Sequence, residues 1–95
     1  MTQKHKIFNL VVEKIGVGMR PSEAIVTIRD AEGRKDFLRV ERDFLANIGG
    51  RYYLPVALIH EDGPQGRMLV ELPQESEIGA NRIWVRVTDV HILEK

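Results

Sequence analysis

Arg82-Ile83-Trp84-Val85-Arg86-Val87-Thr88-Asp89-Val90-His91-Ile92-Leu93-Glu94 is the stretch that decides the fold. Ile83, Val85 and Val87 alternate strictly with Arg82, Trp84 and Arg86, the period of a strand with one face in a core. Thr88 and Asp89 then interrupt the alternation with two residues suited to a tight 3₁₀-like turn. Val90 to Leu93 resumes as a short apolar final strand. β-branched residues dominate both runs, as strands favour.

Working outward, the same period recurs along most of the chain. Arg67 to Leu72 places Met68, Val70 and Leu72 together and pairs back onto Arg51 to His60 as a hairpin. Tyr52, Leu54, Val56 and Leu58 share one side of that strand. Pro55 has no amide to donate, which predicts an edge or a bulge near the strand's middle. Residues 23 to 41 read as a second hairpin: Ala24, Val26 and Ile28 face Leu38 and Val40 across the turn Asp30-Ala31-Glu32-Gly33. At the start, Phe8, Leu10 and Val12 lie on one side of a strand and Ile7, Asn9 and Val11 on the other. A strand apolar on both sides is either central in the fold or covered by a partner chain. Gly16, Gly18 and Pro21 read as a flexible connection, and Pro73 to Asn81 as a polar, acidic loop. Arg42 to Ile48 is the one helical candidate, a single turn capped by Asp43, with Phe44, Leu45 and Ile48 facing the core and Gly49-Gly50 as its stop.

The run from Ile83 to Leu93 resembles the end of SH3-like barrels, where a strand passes through one 3₁₀ turn into a closing strand. The hairpin from Leu58 to Leu72 is similar to their central hairpin. The resemblance covers about the last 40 residues and implies a mainly β fold, a small SH3-like barrel of five to seven strands with one short helical turn. Residues 1–95 are then a single β-barrel domain. Arg86 stands where peptide-binding SH3 domains carry a proline, and Ile7-Phe8-Asn9-Leu10 does not match their aromatic motif. The resemblance therefore points toward bacterial domains of SH3-like shape rather than toward proline-rich ligands.

Composition bounds what such a domain does. The 95 residues are 43% hydrophobic and 29% charged, a globular composition with one domain's length of chain. Fourteen Lys and Arg balance 14 Asp and Glu, so the basic excess of a dedicated nucleic-acid binder is absent. There is no cysteine, which excludes disulfides, thiolate metal sites and cysteine nucleophiles. The apolar run from Ile7 to Val12 is too short for a signal core or a membrane span, so a cytoplasmic protein with no membrane partner is expected.

Candidate chemistry concentrates on Arg82, Trp84 and Arg86. An indole flanked by guanidinium groups can stack on a base or a partner's ring while the arginines hold phosphate or carboxylate. Arginine stems laid over a packed indole give the same stripe for burial alone, and that reading is preferred because large aromatics bury most of their area. Tyr52-Tyr53 places one ring on each face of its strand, and Tyr53 is the candidate to join Trp84 on an aromatic surface. His5, His60 and His91 have no metal-binding spacing, so no metal site is expected. Ser22 and Ser76 lack a nucleophile context, and Glu71, Glu75 and Glu77 read as a solvated acidic loop. The expectation is a non-enzymatic interaction module without cofactors, binding a protein partner or forming a homodimer. Weak single-stranded nucleic-acid binding through Arg82, Trp84 and Arg86 is the alternative.

Overall fold

A computed structural model describes residues 5–94 of the chain. Nine strands are present among them: β1 (Lys6–Val11), β2 (Lys14–Val17), β3 (Glu23–Arg29), β4 (Lys35–Glu41), β5 (Ala46–Ile48), β6 (Arg51–Asp62), β7 (Arg67–Glu71), β8 (Arg82–Arg86) and β9 (Val90–Glu94). The mainly β expectation holds. The strand number exceeds the expected five to seven, and the strands form two antiparallel sheets with no closed barrel. One sheet runs β8-β7-β6-β1-β9, with β5 also on β6; the other is β2-β3-β4.

Period two explains how the sheets meet. Along β4, Asp36, Leu38 and Val40 are buried while Lys35, Phe37, Arg39 and Glu41 are exposed. Val26 and Ile28 of β3 lie beside Leu38 and Val40, and together they pack on Leu10, Leu54, Met68, Val70 and Val85 of the larger sheet. Both hairpins, 23–41 and 58–72, form as the alternation predicts. The two-sided apolar β1 is central, paired with β6 on one side and β9 on the other.

Pro55 sits opposite Asn9 of β1. On the other side of β6, β5 pairs only residues 51–53 and β7 only residues from Ala57 onward. The missing amide therefore faces a gap in an otherwise doubly paired strand, and the bulge falls later, between Leu58 and His60.

Three local expectations are corrected. Lys14–Val17 is a strand paired with β3, not a flexible connection. Gly18 is small because the chain needs it to be: a Cβ there would lie 2.6 Å from the Glu23 Cβ. Gly18→Ala is expected to cost about 1–3 kcal/mol in chemical denaturation, while Gly16→Ala, with its nearest neighbour at 3.7 Å, is expected to cost less. Second, only Arg42–Phe44 is helical, as one 3₁₀ turn; Asp43 does not cap it and Phe44 faces solvent. Residues 46–48 are β5 instead, and Gly49-Gly50, both at positive φ, form the two-residue turn that joins β5 to β6. Third, Val87 is 39% exposed, because β8 ends at Arg86 and Val87 opens the 3₁₀ turn Val87–Asp89.

Candidate functional site

The outer face of β8 carries Arg82, Trp84 and Arg86 side by side, as period two requires. Register then decides what each one meets. Arg82 stands opposite Glu71, Trp84 opposite Leu69, and Arg86 opposite Arg67; Leu69 and Arg67 stand opposite His60 and Asp62 of β6. Arg82 Nε donates to Glu71 Oε1 at 3.2 Å. Two arginines directly opposite would repel, and both turn aside. Arg67 lies over the indole, 4.4 Å from the ring centroid, and its Nε donates to Asp62 Oδ2 at 3.4 Å. Arg86 Nε donates to the Ala31 carbonyl at 3.1 Å. The His60 ring meets the Trp84 ring edge-on at 6.1 Å. Trp84 is half-buried, one of its faces already occupied by a cation.

Tyr53 is placed elsewhere. It lies seven residues along β6 from His60, roughly 20 Å of strand path, and its ring packs on His91 at 5.6 Å. Tyr53 and Trp84 do not form one aromatic surface. Sequence reasoning missed Arg67, Asp62 and Leu69 because their position depends on the register of a bulged hairpin.

The turn between β3 and β4 reaches across to β8. Asp30 Oδ1 accepts the Glu32 and Arg34 amides at 2.9 Å each, and Asp30 Oδ2 accepts Arg34 Nε at 2.9 Å. The turn so fixed presents the Ala31 amide to the Trp84 carbonyl at 2.7 Å. Burial raises the Asp30 carboxyl's pKa, but the hydrogen bonds from Arg34 and Glu32 outweigh it and hold the group below its ordinary 3.8. A depressed native pKa contributes stability above that value and loses it as pH falls through the native one. Acidification below about pH 4 is therefore expected to lower the protection factor of the Ala31 amide, taken against the intrinsic exchange rate at each pH, and less so in Asp30→Asn, which lacks the titrating group.

Between this turn, β8 and the loop 73–81 lies a groove of about 680 Å³. Its apolar wall is Ala31, Ile78, Ala80, Ile83 and Trp84. Ile78 is 76% exposed and lies in a hydrogen-bonded turn. The Ser76 amide donates to the Ala80 carbonyl, Ser76 Oγ accepts the Ala80 amide, and the Glu77 amide donates to the Phe37 carbonyl. Buried Ser76 thus shapes the loop. The groove also borders Asp36, a carboxylate only 5% exposed. Its Oδ1 accepts the Phe37 amide at 2.8 Å, while Oδ2 is buried with no partner. Such an oxygen costs about 1–3 kcal/mol. Sequence reasoning passed over Asp36; its place at period two with Leu38 and Val40, a charge on an apolar period, was the available signal.

Among the described residues no three His, Asp or Glu side chains converge as metal ligands, and no helix is long and apolar enough to cross a membrane. No protein-family model, curated protein or solved structure matches the chain, so the reading of this site rests on its own geometry.

Proposed function

We propose that the chain is a non-enzymatic interaction module that seats an extended segment of a protein partner in the groove beside Trp84. The observation that carries this reading is an exposed Ile78, set in a hydrogen-bonded turn, beside a strand edge, β8, that ends its sheet. An isolated exposed isoleucine is ordinary, but one fixed at the mouth of an apolar groove supplies a preorganised anchor. A second copy of the chain can supply that segment, which keeps the homodimer within the same proposal. SH3-like kinship is proposed on the strand, 3₁₀ turn and strand of residues 82–94, supported by the pairing of β9 with β1.

Nucleic-acid binding through the Arg82, Trp84 and Arg86 face has less support. Arg67 occupies the indole face a base would use, and Arg82 and Arg86 are already engaged. The test is to pan displayed, unconstrained dodecapeptides over the protein, with light scattering for self-association and mixed oligonucleotides at low salt in parallel. Selected peptides, or the self-associated state, are expected to weaken at least tenfold on Ile78→Asp. Binding that ignores this substitution, or binding of oligonucleotides alone, overturns the proposal.

A further inference from the structure

The proposed groove leaves two kinds of group unsatisfied, and together they describe an occupant. The first is main chain. The Asn81 carbonyl accepts from the Leu72 amide, and the Val87 amide donates to the Gly66 carbonyl, both on the β7 side. By the alternation of an antiparallel ladder, residues 82, 84 and 86 point their amides and carbonyls off the free edge of β8. The Trp84 carbonyl is taken by Ala31. The Arg82 amide and carbonyl and the Trp84 amide face outward without a strand beside them. The facing edge of β4 differs: at Phe37 the Asp36 carboxylate takes the amide and Glu77 takes the carbonyl. The β4 wall is blocked at Phe37, whereas β8 is open at Arg82 and at the Trp84 amide, so an added strand is placed on β8.

The second is charge. Four cations border the groove, and three have acidic partners: Arg34 pairs with Asp30 and Glu32, Arg67 with Asp62, and Arg82 with Glu71. Lys35 is exposed to solvent. Asp36 is the exception, because its second oxygen is reached neither by water nor by any of these cations. A metal ion needs several oxygen ligands, and only this one carboxylate is unmatched. A guanidinium suits it better: its planar fork meets a carboxylate while its aliphatic stem lies along the apolar Ile83 and Ile78 wall.

We infer that the partner segment adds as a short antiparallel strand to β8 at Arg82–Trp84 and directs an arginine side chain at Asp36. This deepens the proposed function and rests on it. The arginine supplies the donor that Asp36 Oδ2 lacks; because that oxygen is buried, this contact requires the groove lining around Asp36 to move on binding.

The probes are the dodecapeptides selected on the wild-type protein. An arginine is expected at a fixed position in them. Its replacement by citrulline should weaken binding at least tenfold, as should Asp36→Asn, which keeps an acceptor for the Phe37 amide; the two changes together should cost little more than either alone. The Arg82 and Trp84 amides should become protected from hydrogen exchange in the complex. Should Asp36→Asn fail to fold, the citrulline peptide on the wild-type protein decides alone. Peptides that need Ile78 but no basic residue, or that leave those two amides unprotected, overturn the inference and leave the proposed function standing. A failure to select any peptide that needs Ile78 removes both.

Discussion

Leu54→Ala is expected to lower the unfolding free energy by about 3 kcal/mol, within the range of about 2–5 for a fully buried leucine. Leu54 is 0% exposed and faces Leu10, also 0% exposed, across the β6–β1 ladder. Its strand is the only one that pairs with β1, β5 and β7, so the cavity would open where the larger sheet is held together. A domain of this size has about 5–14 kcal/mol of stability in all. The variant should therefore still fold, with its urea midpoint lowered by about 1–2 M and its m value unchanged. Tyr52 is the matched control: it stands two residues away on the same strand and is 43% exposed. Tyr52→Ala should cost less than half as much. Tyr52 and Leu54 share a face of β6, so equal losses at the two positions would show that burial does not fall off along that face as described.

The parts of this fold that were legible in the sequence are those where one buried face enforces a strict period. Val85 is 0% exposed between exposed Arg86 and half-buried Trp84, and β4 alternates over all seven residues. The turn from Asp30 to Gly33 was legible because its residue types act locally, through an Asp side chain and a positive φ. What escaped depends on distant chain. Gly16 and Gly18 suggest looseness, whereas Gly18 is tight against Glu23. Residues 42–48 fit a helical and an extended period equally well at that length, and Gly-Gly ends a helix as readily as it turns a hairpin. The site divides in the same way. Period two assembles Arg82, Trp84 and Arg86, but only the β6–β7–β8 register brings Arg67 over the indole, and only strand length separates Tyr53 from it. Pairing across a bulge is a property of two strands at once, which neither strand's sequence states alone.

Trp84→Ala is expected to cost about 2 kcal/mol, less than the roughly 3–5 of a fully buried aromatic because the ring is half-exposed. The loss has separable parts. The ring covers the β7–β8 face beside Leu69, and it supports Arg67 at 4.4 Å and the His60 edge at 6.1 Å. Trp84→Phe keeps the cover and much of the cation–π contact, so it should lose about half as much. A cycle with Arg67→Gln should return a coupling of about 0.5–1 kcal/mol, which isolates the guanidinium–indole contact from simple burial. The same variants separate the two readings of the Arg82, Trp84 and Arg86 face. If the indole is a cover for its own hairpin, Trp84→Ala lowers the denaturation midpoint and Arg67→Gln lowers it by less. If it is instead a free platform for a nucleic-acid base, Trp84→Ala leaves the midpoint in place and abolishes salt-sensitive oligonucleotide binding. Arg67→Gln, by uncovering the ring, would then strengthen that binding. The opposite sign expected for Arg67→Gln makes the pair decisive, since no single packing role for the arginine predicts a gain.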